Sequence, residues 1–241
     1  CDIRPELLEQ WGVPYANMTF TFDGEDKEYI NTDITNKDFY DRMRKGASAK
    51  TAAINADSFA RAFEPILQEG KDILYVAFSS GLSTTVNSAH MAAEELQEKY
   101  PDRKMVIVDT LAASAGGGLM VYMAIAKKNE GATLEENAAY IESLTSQHCI
   151  WFTVDDLEYL KRGGRVSQLV AFAGGVLGIK PVLQMDDEGH LIKVSTARGR
   201  KKAIEALADK YAELSYEEKN LAVCRATVIF GNVMQLIMQF G

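Results

Sequence analysis

The sequence predicts an α/β protein of two domains, and three observations carry that expectation. Apolar runs of strand length at residues 73–78, 105–108 and 150–154 alternate with longer segments of helical pattern. Hydroxyl residues and glycines stand at the joints, where helices start and stop. In the last third the order changes to two strand-like runs, 180–185 and 190–195, joined by Asp186-Asp187-Glu188-Gly189, which reads as an antiparallel hairpin. The first pattern predicts a mostly parallel sheet with helices on both faces, a three-layer α/β/α domain over residues 1–154. The second predicts a smaller α/β domain over residues 155–241.

Taken in order, Pro5 opens a short helix over residues 5–10, since its fixed φ suits a first turn that needs no N–H there, and Gly12 stops it. Residues 13–29 read as extended, with Asp23-Gly24 as a hairpin turn. Thr35 caps a helix over 36–45 that Gly46 closes, and residues 50–55 form a loop before a helix over 57–68. The strand at 73–78 leads through a hydroxyl-rich turn into a helix from Val86 onward. After the strand at 105–108 comes Asp109-Thr110, then a helix through 119–126 entered by Gly116-Gly117-Gly118. Glycines in a helix cost about 1 kcal/mol each relative to alanine, so close approach of a neighbour is the expected compensation. Thr133 caps a helix over 134–145. Asp155 opens another that ends with Lys161 and Arg162, which complement its dipole, at Gly163-Gly164. Ser167 caps a segment, 169–178, that is apolar all round and so either is buried on most sides or lines an apolar cavity. An amphipathic helix follows over 199–214, with Arg198, Arg200, Lys201 and Lys202 at its opening, and residues 223–230 form a last strand.

Composition excludes several function classes. With 241 residues, 47% hydrophobic and 25% charged, the chain has the make-up of a folded globular protein. Its formal net charge of −8 disfavours bulk electrostatic attraction to nucleic acid or to anionic membranes. No apolar run reaches spanning length and no signal peptide precedes Cys1, so a cytoplasmic protein without membrane insertion is expected. Cys1, Cys149 and Cys224 lack the spacing of a disulfide framework or a zinc site, and no metal is expected. His148 and Cys149 are adjacent on a strand, where neighbours point to opposite faces, so Cys149 reads as core.

The stretch 79–85, Ser-Ser-Gly-Leu-Ser-Thr-Thr, has five hydroxyls in seven positions, more than capping one helix requires. It lies between a strand's carboxyl end and a helix N-terminus, where α/β proteins bind ligands and where N–H groups favour an anion. A carboxylate or a phosphate fits. The frame G-x-S-x-G of a nucleophile elbow is absent, as are the P-loop and the G-x-G-x-x-G pyrophosphate turn. Two other readings remain open. One is a serine-dependent hydrolase or acyltransferase on acyl esters, using Ser80 or Ser83 with His90, His148 or His190 as base. The other is a nucleotide-binding regulatory module.

Lys50-Thr51-Ala52, Ser79-Ser80-Gly81-Leu82-Ser83, residues 157–167 with the pattern L-x-x-L-x-x-G-G-R-[IV]-S, Ile179-Lys180-Pro181-Val182-Leu183 and Arg198-Gly199-Arg200-Lys201-Lys202-Ala203 occur in an order that resembles the DegV family, from residue 1 to about 214. The resemblance implies a two-domain fold that holds one long-chain fatty acid in an apolar tunnel between the domains. It implies that Thr51, Ser83, Ser80 and Thr84 take the carboxylate, with backbone N–H groups of 80–84 in support, and that Phe172, Val176, Leu177 and Ile179 line the acyl chain. Burying ~14 methylenes offers a gross gain on the order of 11 kcal/mol, so the hydroxyls need mainly to orient the ligand. The resemblance further implies a carrier with no catalytic group or cofactor, which presents its ligand to a separate fatty acid kinase. Arg165, Arg198, Arg200, Lys201 and Lys202 would then form the docking surface, and replacing Arg165 is expected to weaken docking while sparing lipid binding.

This chain departs from the family pattern in three places. Where the family has Thr-Ser-Gln-Pro, Thr51 matches while Ala52, Ala53 and Asn55 do not. A first strand ending in Asp-Ser is expected upstream of Cys1. Past Asn220 the motifs stop, without the glycine-rich segment and histidine that complete the family's head-group site.

Overall fold

The computed structural model describes residues 3–155, 157–165, 178–214 and the backbone of 226–230. Helix α1 (Pro5–Gln10) begins at its proline, and Gly12 follows at φ +64°, as the sequence predicts. Strands β1 (Thr19–Phe22) and β2 (Glu28–Tyr29) pair antiparallel around Gly24. Helix α2 (Asn36–Arg44) is capped by Thr35, whose hydroxyl accepts from the Asp38 N–H at 3.1 Å.

The next segment differs from expectation. Residues Ala49–Ala52 form a strand, β3, rather than a loop, and pair antiparallel with β1, placing Thr51 opposite Phe20. Ala-Lys-Thr-Ala carries no strong β signal of its own; pairing with the aromatic strand β1 decides its state. Phe20 and Phe22 of that strand pack with Phe39 of α2 in a small aromatic core.

Helix α3 (Ala56–Gln68) is capped by Asn55 and leads to β4 (Ile73–Ala77). Helix α4 (Thr85–Lys99) and β5 (Met105–Asp109) follow, and β4 and β5 pair in parallel from Ile73↔Met105 to Ala77↔Asp109. Alternation along β4 separates two cores. Ile73, Tyr75 and Ala77 pack with Phe59, Phe63, Val86, Ala89 and Leu96 of α3 and α4. Val76 packs with Val108 and with residues of α5 (Ser114–Asn129) and α6 (Leu134–Thr145), among them Met120, Val121 and Ile141. The glycines at the start of α5 lie inside the helix, and Gly116 has the expected close neighbour. A Cβ there would lie 2.5 Å from Ile150 Cδ1 and 2.9 Å from His148 Cε1.

Strand β6 (Cys149–Thr153) does not extend the parallel pair. It is hydrogen-bonded antiparallel to β7 (Ile179–Met185) and parallel to β9 (Ala226–Phe230), in a four-stranded sheet of order β8-β7-β6-β9 with β8 (Leu191–Arg198) at its edge. The expectation of one mostly parallel sheet up to residue 154 is thereby corrected: among the described residues that stretch holds one antiparallel sheet, one parallel pair and a strand shared with later strands. An apolar run buried on both faces suits the middle of any sheet, so its pattern does not name its partners. The α/β class and the antiparallel β7–β8 hairpin are as predicted. Helix α7 (Glu158–Arg162) follows β6, and α8 (Arg200–Leu214) covers one face of the sheet, with Leu207 against Trp151 and Val182. The apolar segment 169–178, including Phe172, Val176 and Leu177, lies outside the described residues except for Gly178. Among the described residues no helix is long and apolar enough to cross a membrane.

Candidate functional site

The carboxyl ends of β4 and β5 lie side by side, and the turn 79–84 leaves the first of them. The residue that shapes this turn is Ser79, which is fully buried. Its N–H donates to Ala112 O (3.0 Å), its carbonyl accepts from the N–H groups of Leu82 (3.1 Å) and Ser83 (3.2 Å), and its hydroxyl accepts from Gly81 N–H (3.2 Å). From the second strand, Asp109 Oδ1 accepts from Ser80 N–H (3.2 Å) and from Leu111 N–H (3.1 Å). Buried Thr110 donates to Ala77 O at 2.7 Å and accepts from Ala112 N–H at 3.2 Å. Leu111 and Ser114 both have positive φ, +47° and +54°, so strained backbone flanks the site. Burial chiefly, and then the Asp109 carboxylate, push the Tyr75 hydroxyl's pKa up, so it stays protonated.

Of the N–H groups foreseen as support for an anion at 80–84, those of Ser80, Gly81, Leu82 and Ser83 are donated within the protein. The side chains differ. Ser80 and Thr84 are exposed, and Thr84 opens α4 without any side-chain capping bond. Half-buried Ser83 pairs its hydroxyl with that of buried Thr85 at 2.8 Å and accepts from Thr85 N–H at 3.3 Å. Thr51 is half-buried on β3, and Ile54, just after that strand, shares a core with Val86 of α4.

Behind the turn the surroundings are apolar. Leu82, Ala112 and Ala113 form one cluster with Ile150, Phe152, Val154, Leu160, Leu183, Met185 and Leu191 of the four-stranded sheet and α7. The β7–β8 turn also abuts it, since the Ser79 hydroxyl donates to Gly189 O at 2.8 Å. Ile179, expected to line the acyl chain, is half-buried at the start of β7, at the far end of the hairpin from that turn.

The five cations expected to act together are divided. Half-buried Arg165 donates from Nε to Leu82 O at 3.3 Å and from Nη1 to Gly163 O, so it braces the 79–84 turn. Arg198 pairs with Ile179, and Arg200 lies 3.3 Å from Asp155, which Lys180 also approaches at 3.4 Å. Exposed Lys201 lies 3.9 Å from Glu205, and Lys202 is exposed. The length of β8, roughly 23 Å, separates this group from the turn at Asp186–His190.

The three histidines sit in different environments. His90 is exposed on α4, and burial holds the His148 imidazole down at about 4, neutral at ordinary pH. His190 is half-exposed beside Asp186 (3.6 Å) and Glu188 (3.9 Å). Among the described residues these three bring potential metal-ligand atoms within 4.8 Å of one another, but Asp186 Oδ1 already accepts from the N–H groups of Glu188 and His190 and so shapes the turn. The sequence did not single out Ser79, Asp109, Thr110 or Gly189 as organisers. Their signal is that polar residues follow both parallel strands directly, at ends that the sheet brings together.

The fold and the turn define an α/β protein whose hydroxyl-lined strand ends meet an apolar wall. The chain belongs to the DegV family: the family model described as "Uncharacterised protein, DegV family" matches residues 1–240, past the point where the recognisable motifs stop. A DegV domain-containing protein of Clostridium perfringens is 40% identical over 207 residues, 86% of this chain and 71% of the relative. The fold is similar to that of a DegV family protein from Thermus thermophilus described for its fatty acid binding, at TM-score 0.80 and 34% identity, over 90% of this chain and 76% of that one. It is also similar to the Streptococcus pneumoniae fatty acid kinase (Fak) B3 protein loaded with linoleic acid, at TM-score 0.73 and 26% identity, over 82% of this chain and 70% of that one.

Proposed function

We propose that this chain binds one long-chain fatty acid in an apolar tunnel between two domains, and presents it to a separate fatty acid kinase. Thr51, Ser80, Ser83 and Thr84 take the carboxylate, and the acyl chain runs along the apolar side of the turn toward Phe172, Val176, Leu177 and Ile179. The observation that carries the reading is the division of labour in the turn. The N–H groups of Ser80, Gly81, Leu82 and Ser83 are engaged internally, while Ser80 and Thr84 keep exposed hydroxyls and α4 starts without a side-chain cap. Hydroxyls donate well to a carboxylate, and a bond to a charged acceptor contributes about 1.5–3 kcal/mol. The fatty acid binding of the Thermus relative and the linoleic acid of the Streptococcus relative support the ligand class.

The protein contributes no nucleophile of its own in this reading. The hydroxyl contacts of Ser79 and Ser83 go to Gly189, Gly81 and Thr85, not to an imidazole. Phosphoryl transfer, with its metal and nucleotide, belongs to the kinase. Arg198, Arg200, Lys201 and Lys202 form one part of its docking surface, and Arg165, which also braces the ligand turn, a separate part. Native mass spectrometry of the protein purified from a bacterial host, followed by organic extraction, tests the reading. A stoichiometric adduct that extracts as free fatty acid is expected; a clean apo mass, with no stabilisation by added fatty acids of several lengths, overturns it.

A further inference from the structure

Ser79 and Gly189 are 110 residues apart in the chain, yet the Ser79 hydroxyl and the Gly189 carbonyl form a buried hydrogen bond of 2.8 Å. The approach is close on both sides. A Cβ at Gly81 would lie 2.6 Å from Glu188 O and 2.7 Å from the Gly189 carbonyl, and a Cβ at Gly189 would overlap the Ser79 hydroxyl. The Asp186–His190 turn is also braced from within: Asp186 Oδ1 accepts from Glu188 N–H (3.1 Å) and His190 N–H (2.8 Å), and Asp186 O accepts from Gly189 N–H (3.0 Å). A turn tied in this way moves as a unit. Among the described residues, the side-chain hydrogen bond that joins it to the ligand turn is that of Ser79, whose carbonyl and hydroxyl also fix Gly81, Leu82 and Ser83.

We propose that Ser79 is a positioning residue for ligand retention: it touches no ligand, but latches the β7–β8 turn onto the ligand turn and so holds the hydroxyls of Ser80, Ser83 and Thr84 in register. This inference rests on the carboxylate-binding reading above. Its physical basis is that the hydroxyl bonds to the ligand are productive only while the turn keeps its geometry, and Ser79 is where both halves of that geometry meet. A ligand released from this site must leave a turn that the hairpin holds shut.

The test loads the full chain with oleic acid and follows its transfer to acceptor vesicles, at a temperature well below melting, for the wild type, Ser79→Ala, Gly189→Ala and the double variant. Ser79→Ala is expected to release oleic acid about tenfold faster, the loss of one such bond. Gly189→Ala is expected to be impaired further by the clash with the Ser79 hydroxyl. The double variant removes that clash, because the next atoms near a Gly189 Cβ, those of Leu111, are at 3.2 and 3.3 Å. It should therefore release more slowly than Gly189→Ala. A purely structural Ser79 would lower the melting temperature and leave release unchanged, which overturns the proposal. Independent, summed effects of the two substitutions overturn it as well; if Ser79→Ala folds poorly, Gly81→Ala, which forces the same two turns apart while keeping the Ser79 hydroxyl, takes its place, and an unchanged release rate in that variant overturns the proposal. A wild type that takes up no oleic acid defeats the binding reading, and the inference with it; a wild type that binds while the variants release at its rate defeats the inference alone.

Discussion

Helix α6 and helix α4 each follow a threonine, and the two threonines do different work. Thr133 accepts from Glu136 N–H at 3.2 Å while Glu136 accepts from Thr133 N–H at 2.9 Å, a complete capping box. Thr84 makes no side-chain capping bond; it is exposed, and Ser83 and Thr85 pair with each other instead. The arm through α6 ends in the same closed manner, with His148 half-buried and neutral against Gly116 of α5. A polar group that the fold needs is engaged by the fold. Those left open at a strand end are available to a ligand.

The largest expected effect sharpens the closed side of this contrast. The His148 imidazole is held at about 4 in the folded protein against an ordinary 6.5. Between those values the unfolded chain takes up a proton that the folded one refuses, so stability is full above pH 6.5 and falls as pH drops toward 4. The loss is about 3 kcal/mol. Denaturant melts across this window should show the slope, and His148→Leu should flatten it; an unchanged slope in that variant would move the acid sensitivity elsewhere.

The same substitution at two glycines gives the next contrast. Gly131, two residues before Thr133, has φ +90° and open space, so Gly131→Ala should cost about 1 kcal/mol of backbone strain and leave ligand binding unchanged. Gly81 meets the backbone of Glu188 and Gly189, so Gly81→Ala forces two chain segments apart, at about 1–3 kcal/mol, and should also speed ligand release. Equal release rates for the two variants would break the distinction between them.

The smallest stability effect is the most direct test. Thr133→Ala should cost about 1 kcal/mol and spare binding, whereas Thr84→Ala should change stability by less than about 0.5 kcal/mol and weaken fatty acid affinity about tenfold. Paired measurements of melting temperature and fluorescent fatty acid displacement decide it. If Thr84→Ala destabilises as Thr133→Ala does, the threonine is a cap after all.

Much of this was legible in the residues. Helix starts at Pro5, Thr35 and Thr133, the turn glycines Gly12 and Gly24, and the β7–β8 hairpin follow from local chemistry that acts within a few residues. The hydroxyl run 79–85 marked the site for the same reason. Strand partnership was not legible, because β6 is apolar enough to sit in either sheet and β3 becomes a strand only beside β1. Arg165 read as part of a docking surface, yet its guanidinium also reaches Leu82 O, 83 residues away in the chain.

The sequence by itself determined the α/β class, the helix starts at Pro5, Thr35 and Thr133 and the concentration of hydroxyls after β4, since propensity, capping and turn geometry depend on near neighbours. Only the tertiary structure decided which of those hydroxyls are free. That depends on Asp109 arriving from β5 to take the Ser80 N–H, and on Gly189 arriving from the hairpin to take the Ser79 hydroxyl. Hydrogen bonds between groups 29 and 110 residues apart are set by how sheets pack, and no local pattern encodes them.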